Sequence, residues 1–171
     1  IEAFGLLPVV LPDLGDSLDG HLIDQDSTPL TLGGTPKAAI AALGEAVATL
    51  VIGRSLHKAA DLLRARSGVP DYRFDHLLGL DACDAFILAL AEISGQPVPP
   101  AIERQRAQLQ DAMVDTHFMT GFLRVGIAAD PDLLVALGQF LTGVGGEVVA
   151  AVASTRAEVL ADLPAVSVRI G

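Results

Sequence analysis

Apolar and polar positions along residues 124–154 switch between two periods. Val125, Ile127 and Ala129 sit at period two in an uncharged run of small and β-branched residues, the pattern of a strand covered on both faces. Leu133, Leu134, Leu137, Phe140, Leu141 and Val144 then recur at three- and four-residue spacing and make one helical face. Between the two runs, Asp130 can serve as N-cap, and Pro131 takes the first helical position, where a missing N–H costs nothing. Gly145 and Gly146 offer a left-handed exit, and Glu147 leads into a second apolar run at residues 148–152. Strand, helix and strand in this order predict a parallel crossover unit, which needs more sheet beside it and helices over its faces.

The remainder of the chain supplies elements of both kinds. Residues 1–4 look like the last turn of a helix stopped by Gly5, and residues 8–11 like a short strand ended by Pro12-Asp13. Residues 13–31 are polar and broken by Gly15, Gly20 and Pro29, which predicts an irregular surface loop. Thr35 and Pro36 stand as N-cap and first residue of a helix reaching about residue 43. A buried strand follows at residues 47–52. Ser55 is positioned to cap the next helix, whose Leu56, Ala59, Ala60, Leu62 and Leu63 face inward and which Gly68 closes. A short strand at residues 72–74 precedes a helix capped by Asp81 and carrying Phe86, Ile87, Leu90 and Ile93. Gly95 ends that helix, and Pro97, Pro99 and Pro100 forbid its continuation. The alternation predicts an α/β fold with a doubly wound parallel sheet.

Residues 101–118 differ in character. Ile102, Leu109, Ala112, Met113 and Thr116 form a narrow stripe, and charged or amide side chains cover the rest. That suits a long helix bridging two units rather than one buried between layers. The expected division is therefore 1–98 for the end of one α/β domain, 99–122 for the bridging helix and turn, and 123–171 for the start of another.

Composition narrows the choice of function. Hydrophobic residues make up 51% of the 171, with a mean hydropathy of +0.50, so part of this surface is expected to be covered by further chain or a partner. The start at Ile1 and the stop at Gly171, straight after an apolar run, suggest a piece of a larger polypeptide. A net charge of −10 without clustered Lys or Arg argues against nucleic acid. One cysteine, Cys83, excludes an internal disulfide and suits a reducing, cytoplasmic compartment. The most apolar window, residues 38–52, is interrupted by Gly44 and Glu45 and is too short to span a membrane.

Four groups of residues bear on chemistry. The stretch Gly53-Arg54-Ser55-Leu56-His57 lies where a hydrolase nucleophile elbow would, but His57 replaces the second small residue, so a capping serine is the better account. Gly33, Gly34 and Thr35 could cradle an anion at a helix start, yet they lack the phosphate-loop spacing, and a plain turn is favoured. Asp130 ends a strand where open α/β sheets bind ligands, and is equally an ordinary N-cap. His21, His57, His76 and His117 stand far apart, with no pair at helical metal spacing, and Cys83 reads as an inert core thiol. No catalytic residue and no metal ligand is therefore expected here. Gly33, Gly34, Thr35 and Asp130 remain as weak binding candidates.

The order of several motifs resembles one family. Glu103-Arg104-Gln105-Arg106-Ala107-Gln108-Leu109-Gln110-Asp111-Ala112-Met113-Val114-Asp115-Thr116-His117-Phe118, then Arg124-Val125 and Asp130-Pro131-Asp132-Leu133, is similar to the nitrogenase component 1 family. Leu32-Gly33-Gly34-Thr35, Ala82-Cys83-Asp84-Ala85-Phe86 and Ala91-Glu92-Ile93-Ser94-Gly95-Gln96-Pro97-Val98-Pro99 extend the likeness in the same order. The spelling Gln108-Leu109-Gln110-Asp111-Ala112-Met113, with Ser17-Leu18-Asp19-Gly20-His21-Leu22, resembles the scaffold branch that matures the iron–molybdenum cofactor. One turn departs from the family pattern, Met119-Thr120-Gly121-Phe122-Leu123 standing in place of an aromatic, glycine-rich and basic turn.

The resemblance implies a subunit of three Rossmann-like domains, of which this chain is the end of the middle one and the start of the third. It implies an α2β2 complex with a homologous E-type subunit, served by the nitrogenase reductase component. An iron–sulfur cluster at the subunit interface would take its cysteine from an N-terminal domain outside this chain, and Cys83 does not fall on that motif. The cofactor precursor would sit mainly on the E-type partner, with none bound by this segment. Two alternatives stand beside the scaffold: a catalytic β-subunit of a nitrogenase-like or protochlorophyllide-reductase-like oxidoreductase, and an unrelated α/β domain that binds a small molecule.

Overall fold

The computed structural model describes residues 1–13 and 33–171, so the surface loop expected at residues 13–31 lies almost wholly outside the described residues. Two parallel sheets organise the chain. The first pairs β1 (Thr49–Ile52) with β2 (Asp71–Phe74), Thr49 opposite Asp71 and Ile52 opposite Phe74. The second runs β3 (Arg124–Ala129), β4 (Glu147–Ala153), β5 (Val168–Ile170) in spatial order, all parallel, with a register shift between Val125 and Gly126. The helices are α1 (Lys37–Ala41), α2 (His57–Ser67), α3 (Leu80–Ser94), α4 (Pro100–Thr120) and α5 (Pro131–Gly143). Short 3-10 turns add Glu2–Phe4, Leu43–Glu45, Arg54–Leu56 and Glu158–Asp162.

The β3–α5–β4 unit forms as its periodicity predicts. The Asp130 carboxylate accepts from the Leu133 N–H at 3.3 Å, and Pro131 opens the helix. Gly145 exits it at φ 87°, a region closed to most side chains. The buried face differs from the expected one. Leu134, Val135, Ala136 and Gly138 are buried, whereas Leu133 is exposed and Leu137 half-buried. Leu134 and Val135 join Val148, Ala151, Ala153, Val159 and Leu163 in one core, because the 3-10 turn at residues 158–162 packs on the helix as well as the sheet. Strand β3 is covered on one face only: Val125, Ile127 and Ala129 are half-buried, and Arg124, Gly126 and Ala128 are exposed.

Other local expectations also fail, for Thr35 and Ser55 because the capping hydroxyl has a partner elsewhere. Thr35 does not cap α1. Its hydroxyl donates to the Val10 carbonyl, and Pro36 takes the cap position. Ser55 does not cap α2, which begins after Leu56, and Asp81 lies inside the first turn of α3 behind Gly79. Residues 8–11 form no strand. Among the described residues no strand pairs with them, and Val9, Val10 and Leu11 are exposed. On α2 only Ala60 is buried and Leu63 half-buried, leaving Leu56 and Leu62 in solvent.

Helix α4 has no buried residue along its 21 positions. It is fixed at its two ends. Arg106 grips Asp84 of α3 through two parallel bonds, Nε to Oδ1 at 2.7 Å and Nη2 to Oδ2 at 2.6 Å. At the far end the Thr120 hydroxyl donates to the Val144 carbonyl at 3.0 Å, and the Glu147 N–H donates to the Leu123 carbonyl at 2.8 Å.

Candidate functional site

The carboxyl ends of the two sheets meet in a polar seam. Strand β1 stops at Ile52, and Gly53, at φ 104°, turns the chain into the 3-10 segment that presents Arg54 and Ser55. The Gly53 N–H donates to the Phe74 carbonyl at 2.8 Å, which brings the ends of β1 and β2 level and sets Asp75 and His76 beside Arg54. From the second sheet, β3 ends at Ala129 and delivers Asp130 and then Asp132 on the first turn of α5.

Asp132 Oδ2 accepts from the Ser55 N–H at 3.0 Å and from the Ser55 hydroxyl at 2.6 Å. Arg54 donates to Asp75 Oδ2 through Nε at 3.0 Å and Nη2 at 2.8 Å, and to Asp162 Oδ2 through Nη1 at 2.5 Å. The Arg54 hydrogen bonds hold the Asp75 carboxyl below the usual carboxylate range against its partial burial, helped by the Arg54 charge. The same contacts, to Asp75 first and then Asp162, push the guanidinium further up. The ring of His76 accepts the Leu78 N–H at Nδ1, 3.2 Å, so Nε2 carries the proton and donates to Gln139 Oε1 at 2.9 Å. Behind this layer the Nε2 atom of His57 is buried with no hydrogen-bond partner among the described residues.

This arrangement pairs charges. Ser55 faces a carboxylate that accepts its proton in a hydrogen bond, and the carboxylate is held by the Ser55 backbone as well. A nucleophilic serine needs an imidazole or amine at that distance. The weak binding candidates fall in different places. Gly33 and Gly34 occupy a left-handed turn at φ 93° and 91°, Thr35 is committed to Val10, and α1 is five residues long. Asp130 lies beside the seam with its side chain committed to the cap.

Among the described residues, no three His, Cys, Asp or Glu side chains gather so as to hold a metal ion. The Cys83 thiol is half-buried and donates to the Leu77 carbonyl at 3.1 Å. These residues do not fit an iron–sulfur cluster. No described helix is long and apolar enough to cross a membrane. The seam residues Arg54, Asp75, Asp132 and Asp162 were not singled out as a site in the sequence, because their partners stand up to 108 positions away. The one available signal was a charged residue just past the end of each strand, at Arg54 and Asp75.

Residues 1–168 match the family described as nitrogenase component 1 type oxidoreductase. The chain belongs to that family. It is 47% identical over 164 residues to the nitrogenase iron–molybdenum cofactor biosynthesis protein NifN of Klebsiella pneumoniae, covering 96% of this chain and 36% of that protein. To the NifN of Rhodobacter capsulatus it is 46% identical over 173 residues, covering all of this chain and 37% of that protein. Among solved structures it is similar to "Nitrogenase Cp1 at pH 6.5", with a TM-score of 0.83 and 27% identity over 99% of this chain and 39% of that one. The chain thus spans little more than a third of the length of the relatives it matches.

Proposed function

We propose that this chain is part of the N subunit of a scaffold on which the nitrogenase iron–molybdenum cofactor is assembled before transfer to the apo-enzyme. The observation that carries this reading is identity at 41–47% along essentially the whole chain to proteins named for cofactor biosynthesis. The seam supports it from the side of chemistry. Its charged and polar side chains are mostly tied to one another, which serves to hold two units together, whereas catalysis gathers acids, bases and nucleophiles around a space for substrate. The exposed apolar side chains support it from the side of assembly. Phe118, Met119 and Phe122, around the end of α4, are 82%, 78% and 90% exposed, and such surface suits contact with further chain or an E-type partner.

In this proposal the parent protein has three Rossmann-like domains, residues 1–98 ending the middle one, 99–122 bridging and 123–171 beginning the third. It pairs with an E-type subunit in an α2β2 complex that receives the reductase component. An interfacial iron–sulfur cluster is held by residues outside this chain, and the precursor sits mainly on the partner. A catalytic β-subunit is the second reading, favoured by the structural likeness to a nitrogenase. The deciding experiment isolates the full-length complex and assays both transfer of the matured cofactor to an apo-enzyme and substrate turnover with the reductase present. Transfer with residual turnover is expected; turnover at nitrogenase level without transfer would sink the scaffold reading.

A further inference from the structure

We propose that the seam between the two sheets is a salt-sensitive latch, and that the two halves of the chain swing apart about α4 when it opens. Among the described residues the chain passes between the halves once, through Pro100–Thr120, a helix with no buried side chain to lock it against either core. The second core consists of Leu134, Val135, Val148, Ala151, Ala153, Val159 and Leu163, with partly buried neighbours from Ile127 onward, so no apolar residue of the first sheet enters it. Polar contacts span the gap: Arg54 to Asp162, Ser55 to Asp132, and His76 to Gln139. The Phe140 ring lies over Gly79, where an added Cβ would be 3.5 Å from it.

Such ties close a joint without welding it. The side chains of Arg54 and Asp162 are 38% and 47% exposed, and ion pairs so open to water contribute little and are screened by salt. Polar contacts between units with separate cores leave relative motion as the ordinary outcome. Gly53 sets the closeness of the joint, since a Cβ there would stand 3.0 Å from Asp132 Oδ2. Opening uncovers the carboxyl ends of β1 and β3, the edge at which open α/β sheets take up ligands. This inference does not depend on the scaffold reading, because it concerns the joint and not the cargo.

The test places spin labels on the two halves of the 171-residue chain, at Leu88→Cys on α3 and Val166→Cys beside β5, in a Cys83→Ser background. Leu88 and Val166 are 64% and 73% exposed, so the labels disturb neither core. Electron–electron double resonance at low salt is expected to give one narrow distance. Raising the salt to about 0.5 M, or introducing Ser55→Ala or Arg54→Ala, should lower the population at that distance at least about twofold and add a longer one, with helical content unchanged. Lys58→Ala, on an exposed position of α2, should leave the distribution as it was. The salt series uses the unaltered seam and so reads the latch even where a variant fails to fold. One narrow distance that persists through salt and through Ser55→Ala would overturn the proposal.

Discussion

The backbone of Gly138 lies against the side chain of Leu163: a Cβ added at Gly138 would stand 2.6 Å from Leu163 Cδ1 and 3.3 Å from Pro164 Cδ. Glycine in a helix interior ordinarily costs about 1 kcal/mol against alanine. Here the missing methyl lets the segment after the 158–162 turn close over α5, with Leu163 in the core. Gly138→Ala should therefore lower the denaturant midpoint, by about 1 kcal/mol in stability, where propensity alone predicts a gain. A raised midpoint would show that Leu163 swings aside freely.

Burial on α5 ranks its leucines. Leu134 is fully buried and Leu137 only half so. Leu134→Asp should cost several kcal/mol and abolish cooperative unfolding, whereas Leu137→Asp should be milder. Arg104→Ala, on the exposed side of α4, should stay within about 0.5 kcal/mol of the parent. Urea titrations of the three variants check this order, and equal losses at Leu134 and Arg104 would mean the helix faces are misassigned.

Acid should weaken the first sheet through Asp71. Its side chain is nearly buried at the head of β2 and accepts from Arg73 Nε at 2.6 Å and Arg64 Nη1 at 2.8 Å. The Arg73 hydrogen bond, with the charges of Arg73 and Arg64, holds its carboxyl below the ordinary value near pH 4 against the opposing effect of burial. A depressed carboxylate contributes stability above its unfolded pKa and loses it as pH falls through the folded one. Unfolding midpoints should thus decline from about pH 4 downward, and Asp71→Asn should flatten that decline while lowering stability at neutral pH. Parallel curves for parent and variant would exclude Asp71 as a source of the acid sensitivity.

The fork between Arg106 and Asp84 needs the guanidinium plane, not only its charge. Arg106→Lys should loosen the N-terminal half of α4 from α3, seen as faster amide exchange there, at a cost below about 1 kcal/mol because the pair is partly exposed. Exchange unchanged in α4 would show that the helix holds its place by other means.

The apolar cluster at the end of α4 predicts solubility and not stability. Phe122 is 90% exposed, so Phe122→Ser should shift stability by less than about 0.5 kcal/mol while reducing self-association of the chain in light scattering. A large loss of stability would place Phe122 in an internal contact instead.

Much of this architecture is written in local pattern. The period switch at residues 124–154, the proline at the head of α5 and the glycines at residues 68, 95 and 145 determine strand, helix and turn from neighbouring residues alone, because backbone geometry and capping act over a few positions. The long polar helix α4 was legible in the same way, as was the family, through the order of its motifs. Tertiary structure alone decided where capping side chains go. Thr35, Ser55 and Asp81 carry good capping groups, yet Thr35 reaches back 25 residues to Val10 and Ser55 forward 77 to Asp132. It also decided which face of α5 is buried, since the 158–162 turn covers Val135 and leaves Leu133 in water. Arg54, Asp132 and Asp162 become a unit only when two sheets bring their carboxyl ends together, and a charge has no periodicity from which a distant partner can be read.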